Sequence, residues 1–308
     1  MRTHVRLRAV GILLVATAPA FGAACASGGA RVARFDAFAE AGTQFADAVP
    51  AVLDASFEGA VATSSLALEQ ARPGLLLLPD SVRETVMLEQ LQQNDADLVT
   101  RLETLRDVKR HARLLREYFV ALQALAQTGA ESSGLTDVTG GFVEALATVA
   151  PSIGEATIGG QPVSELLPPV VDFAVTSFQS QVLEDELRRN AGAIERELAL
   201  QVAFLTAVAE TMASDYELVF AADDLDRIRT PYVRAGSLPR SWSDRRLGSF
   251  RRQSALSSVD AASRAAERLR TAFIQLVENR IDQATIAALF IDIHGMLTFV
   301  EVATGDDS

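Results

Sequence analysis

The stretch SVRETVMLEQLQQNDADLVTRLETLRDVKRHARLLREYFVALQALAQ, residues 81 to 127, decides the fold. It contains neither proline nor glycine and places Leu91, Leu98, Leu105, Ala112, Phe119 and Ala126 at a strict seven-residue step. Leu88 and Leu102, then Val108, Leu115 and Leu122, supply a second seam beside the first. Apolar residues on one face of a 3.6-residue period specify an amphipathic α-helix. At 1.5 Å per residue it would be roughly 70 Å long. Asp95 interrupts the early seam and the register shifts near Leu105, so the pattern fits a bundle helix better than a long regular coiled coil.

Three further helices follow from the same reading. Phe35, Phe38, Phe45, Val49, Leu53 and Phe57 mark a face over Val32 to Gln70, with Pro50 as a kink point and Arg72-Pro73-Gly74 as its end. Ala191, Leu198, Leu205, Met212 and Val219 repeat at seven within Asn190 to Leu225. Val259, Ala266, Phe273, Leu276, Val277 and Ile281 line a helix from Ser254 to Val302, whose apolar end from Leu289 onward would also suit a strand. The predicted fold is all-α, an elongated up-and-down bundle of about four long helices.

Two stretches depart from this pattern. Residues Gly134 to Leu183 are punctuated by Gly140-Gly141, Pro151, Gly159-Gly160, Pro162 and Pro168-Pro169. They read as a short apolar helical hairpin, near 142–149 and 170–187, capping one end of the bundle. From Arg227 to Arg252 there are eight arginines against one acid, Asp244, interleaved with Tyr232, Trp242 and Phe250. Pro231, Gly236, Pro239 and Gly248 predict an irregular loop there. A loop so long in a compact protein is usually functional or disordered.

The N-terminal residues carry an address. Arg2, Arg6 and Arg8 precede the apolar run from Ala9 to Ala16, too short to span a bilayer, and then come Gly22, Ala23, Ala24 and the only cysteine, Cys25. This resembles the signal and lipobox of bacterial lipoproteins, although Gly22 stands where that family usually has leucine. The resemblance implies cleavage after Ala24, acylation of Cys25 and a flexible tether over Ala26 to Ala30. The expected division is 1–24 signal, 25–31 lipidated cysteine and tether, and 32–308 a single helical domain. Ala26, in place of aspartate, implies an outer-membrane lipid anchor facing the periplasm. Ordinary signal-peptidase cleavage at Ala24-Cys25-Ala26 would instead release a soluble periplasmic or secreted protein. Neither route leaves a disulfide framework.

Charge narrows the function classes. The chain has 28 basic and 40 acidic residues, and losing Arg2, Arg6 and Arg8 takes its net charge from −12 to −15. An acidic body argues against nucleic acid as a partner. Cofactor and metal motifs are missing from the sequence: there is no G-x-S-x-G, no phosphate-binding G-x-x-x-x-G-K-[ST] and no H-E-x-x-H. No cofactor, metal or catalytic residue is therefore assigned, and the chain is expected not to be an enzyme. His111, among Lys109, Arg110 and Arg113, reads as a solvated surface residue, and His294, in Ile291-Asp292-Ile293-His294-Gly295, as a hydrogen-bonded core histidine. Asp223, Asp224 and Asp226 would end a helix and neutralise the arginines that follow.

The arginine stretch is the one unusual surface. Arg240, Trp242, Arg245, Arg246, Arg251 and Arg252 are its candidate interaction residues, Trp and Arg being the types enriched at binding hot spots. They either clasp the acidic bundle or dock an envelope protein, an anionic lipid or a cell-wall partner. The expected function is a tethered, non-enzymatic envelope scaffold or binding module. The alternative is a helical membrane-perturbing protein using the 134–183 hairpin, which resembles the α-helical pore-forming toxins in pattern only. Asp172 would be costly in lipid, and neither short helix reaches the roughly 20 residues of a span.

Overall fold

A computed structural model describes residues 26–128, 133–158, 161–168 and 181–304. The expected signal segment and Cys25 therefore lie outside the described residues, as do 169–180 of the expected hairpin. The fold is an all-α bundle. Helices α1 (Ala26–Leu75) and α2 (Asp80–Thr128) run antiparallel. Polar pairs set their register: Gln127 donates to Asp36 at 2.7 Å, Arg116 to Asp47 at 2.6 Å, Lys109 pairs with Asp54, and Ser64 bonds Asn94 at 3.1 Å.

Helix α3 (Ser133–Glu155) leads to a two-residue antiparallel ladder, β1 (Thr157–Ile158) with β2 (Gln161–Pro162), and a 3₁₀ turn at Val163–Leu166. Helix α4 (Gln181–Asp215) then continues as one helical run through π turns at Tyr216–Phe220 and Leu225–Arg229, with α5 (Ala221–Asp224) between them and α6 (Thr230–Arg234) after. Helix α7 (Trp242–Val277) returns antiparallel to it, registered by Arg270–Glu195 at 2.6 Å, Thr206–Ser263 at 2.7 Å and Arg252–Asp224 at 3.1 Å. Helix α8 (Gln283–Thr304) packs on α7 and α1.

The core gathers at the end where α1 begins. Phe35, Phe38, Phe45, Val49 and Leu53 of α1 are buried against Leu105, Leu115, Phe119 and Leu122 of α2 and Phe273 of α7. The Phe38 ring meets Phe119 edge-on at 5.8 Å and Phe273 at 6.0 Å. The seven-residue seam of α2 is thus buried from Leu105 to Ala126, whereas Leu88 and Leu91 are exposed. Before Leu105 the seam loses this cover step by step, Leu98 being half-buried and Leu91 and Leu88 exposed.

Several expected boundaries are corrected. Helix α1 starts at Ala26, so the expected flexible tether lies in its first turns, and it passes Pro73 to end at Leu75. Pro73 costs one hydrogen bond in a turn about to close anyway. The first half of the expected apolar hairpin is one 23-residue helix running through Gly140-Gly141 and Pro151. It lies along α2 and α4, with Leu146, Val149 and Ile153 in the core, rather than capping an end. Packing of that apolar face outweighs the intrinsic cost of the two glycines.

The Arg227–Arg252 stretch is helical apart from 235–241. Pro231 falls at the start of α6, directly after the π turn Leu225–Arg229, and the helical run passes through it. The last expected helix is instead two, because the chain turns at Asn279, whose φ is 57°. Arg280 N donates to Gln275 O at 2.6 Å and Asn279 N to Leu276 O at 3.0 Å, a Schellman closure with asparagine in the left-handed position. Asp282 then accepts from Thr285 N at 2.7 Å and starts α8, which makes 289–302 helix rather than strand. Residues Gln283–Glu301 are long and apolar enough to cross a membrane by length and composition, and Leu289, Ile293 and Met296 of that span are buried against the bundle.

Candidate docking end

The two antiparallel hairpins point the same way. Gly59 of α1 lies beside Met212 of α4, and Glu69 beside Arg227, so α1 and the α4–α6 run are parallel. Arg34, near the start of α1, bonds Ile281 O at 2.7 Å at the opposite end. At 1.5 Å per residue, Glu69 stands about 65 Å along α1 from Ala26. The α1–α2 turn and the α6–α7 turn both lie beyond Glu69 and Arg227, at the end farthest from the start of α1.

The arginines there divide into two groups. Arg227 pairs with Glu69 at 3.0 Å and Asp223 at 2.8 Å, while Arg252 pairs with Asp224 and lies 4.4 Å over the Phe220 ring. Ser249 also donates to Asp224, at 2.5 Å. Asp223 and Asp224 therefore neutralise arginines as expected, but from inside a continuous helical run rather than at its end. Arg227 and Arg252 act as a clasp.

Arg229, Arg234, Arg240, Arg245, Arg246 and Arg251 are exposed and form no ion pair among the described residues. Trp242 is held, not free: its Nε1 donates to Ile228 O at 3.0 Å and its ring stacks on Tyr232 at 5.7 Å. The Arg246 guanidinium lies 5.6 Å over Trp242 and 5.5 Å over Phe250. These contacts give the tip a fixed shape, with its cations outward.

Electrostatics agree with that division. The hydrogen bond from Arg227 holds the Glu69 carboxyl below the usual carboxylate range, helped by the charges of Arg227 and Arg245. Glu69 in turn raises Arg227. An arginine set in excess over its acids on an otherwise acidic chain is a local anion-attracting surface.

Apolar residues share this end. Leu77 is 87% exposed in the turn that follows α1, next to Leu76, and Val233, Tyr232 and Phe250 are 77%, 68% and 54% exposed at the other tip. The leucine turn was not singled out from the sequence. Its signal was the run Leu75-Leu76-Leu77-Leu78 before Pro79, four apolar residues where a turn calls for polar ones.

The two histidines exchange their expected places. His111 is fully buried and His294 is exposed. Gln201 Nε2 donates to His111 Nδ1 at 2.6 Å, and His111 Nε2 donates to Glu197 Oε2 at 2.7 Å. Nearby, Arg270 of α7 gives both Nε and Nη2 to Glu195 Oε1 of α4, at 3.0 and 2.6 Å, and within α4 Asn190 bonds Glu186 at 2.9 Å. Burial, then the adjacent Glu186 charge, pushes the Tyr118 phenol well above its ordinary value. These groups answer one another inside the bundle, an arrangement that fixes helix register.

A cleft of about 440 Å³ opens between α2, α4 and the end of α3, lined in part by Thr100, Arg101, Thr104, Phe204 and Val208. Arg101 Nη2 is buried there with no hydrogen-bond partner, and burial lowers the Arg101 pKa against the pull of Asp215. Among the described residues no group of three His, Cys, Asp or Glu side chains is gathered to hold a metal ion. Compared with protein-family models, with curated proteins and with solved structures, the chain finds no match in any of the three.

Proposed function

We propose that this protein is a non-enzymatic scaffold of the bacterial envelope, tethered through an acylated Cys25 and docking an anionic partner with its far end. The observation that carries the reading is the unpaired set Arg229, Arg234, Arg240, Arg245, Arg246 and Arg251, placed at the end opposite Ala26. A tether at one end and a cationic, aromatic surface at the other suit a rod that reaches away from its own membrane. The clasp supports the same role, since Arg227–Glu69 joins the hairpins that carry the tips and Arg252–Asp224 closes one of them. Outer-membrane placement, facing the periplasm, follows from Ala26 after the cysteine.

Two variants test this. Cys25→Ala should leave the membrane fraction or stall as precursor. Changing Arg240, Arg245, Arg246 and Arg251 together to glutamine, with the clasp left intact, should lose a crosslinked envelope partner without lowering the melting temperature. Salt should weaken the native contact, as expected for exposed charges. A partner retained by the fourfold variant sinks the docking end, and a native mature protein beginning at Ser27 without acyl groups sinks the tether.

A further inference from the structure

We infer that the far end of the rod is a bilayer-docking end, and that its anionic partner is a phospholipid surface. Scattered exposed apolar residues are ordinary and signify nothing singly. Here the two most exposed, Leu77 and Val233, stand one on each tip with others around them, whereas Ile291 and Phe299 of α8 are exposed singly elsewhere. Leu76 and Leu77 occupy one turn, while Tyr232, Val233, Leu238, Leu247 and Phe250 stand on the other.

The two tips are level. The Glu69–Arg227 bridge fixes the axial register, and Leu77 and Ala235 each lie eight residues beyond their partner of that bridge, about 12 Å at helical rise. A flat surface could therefore touch both together. Backbone geometry favours the same contact: Leu76 N bonds Arg72 O at 3.0 Å, Leu77 N bonds Gly74 O at 3.2 Å, and Arg83 Nη2 donates to Leu78 O at 2.7 Å. That tight turn leaves the Leu77 side chain outside with few backbone groups to desolvate.

Charge selects the surface. Arg240, Arg245 and Arg246 flank the apolar tip with no acid paired to them, on a chain of net charge −12. A protein partner would have to offer apolar pockets and acids at two tips simultaneously. An anionic bilayer offers both everywhere, with phosphates for the guanidinium groups and acyl boundary for leucine, tyrosine and phenylalanine. Trp242, stacked on Tyr232, stands where interfacial aromatic residues stand.

This inference rests on the docking end proposed above and not on the tether. Trp242 is the single tryptophan of the chain and sits in the tip, so it reports on this end alone. The full chain is mixed with vesicles whose acyl chains carry bromine, made either of phosphatidylglycerol with phosphatidylcholine or of phosphatidylcholine only. Trp242 fluorescence should be quenched by the anionic vesicles, and weakly or not at all by the others. Neutralising Arg240, Arg245 and Arg246 should weaken the vesicle affinity read by quenching about a hundredfold. Leu76→Asp with Leu77→Asp should weaken it about tenfold or more, with the helical circular-dichroism signal unchanged.

Vesicle sedimentation without quenching would mean binding at the anchored end only, and overturns the inference. Equal quenching by both lipid mixtures also overturns it. An envelope protein lost in the fourfold arginine variant, with no quenching by anionic vesicles, leaves the docking end standing and overturns the lipid surface. Loss of neither overturns both.

Discussion

Arg227 Nη2 lies 3.0 Å from Glu69 Oε1, and this is the contact that joins the tip of one helical hairpin to the other. The pair is separated by 158 positions in the chain and is half exposed. Such pairs are worth at most about 1 kcal/mol, so its effect is on tip geometry more than on global stability. Glu69 is held below its ordinary pKa, chiefly by the Arg227 hydrogen bond. A depressed carboxyl adds stability that is present above its unfolded pKa and lost as pH falls through the folded one. Glu69→Gln should therefore speed amide exchange in residues 225–252 at neutral pH. The difference from the native chain should close below about pH 4. A difference unchanged in acid would show that the carboxylate is not its source.

The histidines separate by their surroundings. His111→Ala removes the partner of a buried Glu197 and opens a cavity beside Gln201, a loss of about 3 kcal/mol. His294→Ala changes an exposed side chain and should stay within about 0.5 kcal/mol. Urea denaturation of both variants checks this directly. Similar losses in the two would contradict the inward placement of His111.

This exchange shows where sequence reading stops. Helix α2 was legible almost to the residue, because no proline or glycine competes with its period between Asp80 and Thr128. His111 sits in that same helix, but its neighbours Lys109, Arg110 and Arg113 suggested solvent. Only the register against α4, a contact 86 positions away, turns it inward. The α7–α8 break was hidden for a different reason: asparagine, rather than glycine, takes the left-handed position, and its signal with Asp282 spans only a few residues. The arginine cluster was legible as composition. Its division into clasp and free surface was not, since that depends on which of Arg227, Arg252 and Arg246 meets an acid and which meets an aromatic ring.

Tyr118 gives the bundle an alkaline limit. Burial, with the Glu186 charge beside it, raises its folded pKa far above the ordinary value near 10. For a raised group the unfolded state releases its proton first, so stability is full below the unfolded pKa and falls as pH rises beyond it. The native chain should lose stability steeply above about pH 10. Tyr118→Phe should flatten that fall and remove the part of the phenolate absorbance that rises only with alkaline unfolding, leaving that of Tyr216 and Tyr232. With Tyr216 and Tyr232 both changed to phenylalanine, so that Tyr118 is the one tyrosine left, a phenolate step well before the loss of helix would contradict the burial of this group.

Two glycines in helix interiors should respond oppositely to alanine. A Cβ at Gly42 of α1 would lie 2.7 Å from Phe119, inside the aromatic contact that joins α1 to α2. Phe119 is fully buried and wedged against Phe38 and Tyr118, so it has nowhere to retreat. Gly42→Ala should cost about 1 to 3 kcal/mol through overpacking. At Gly192 of α4 a Cβ would meet nothing within 4 Å, and the backbone is ordinary helix. There alanine only removes conformational freedom from the unfolded chain, a gain of about 0.5 to 1 kcal/mol. Thermal unfolding of the two single variants should therefore bracket the native midpoint, Gly42→Ala below it and Gly192→Ala above it. If Gly42→Ala melts at or above the native chain, then α1 and α2 do not approach as closely as Phe119 requires.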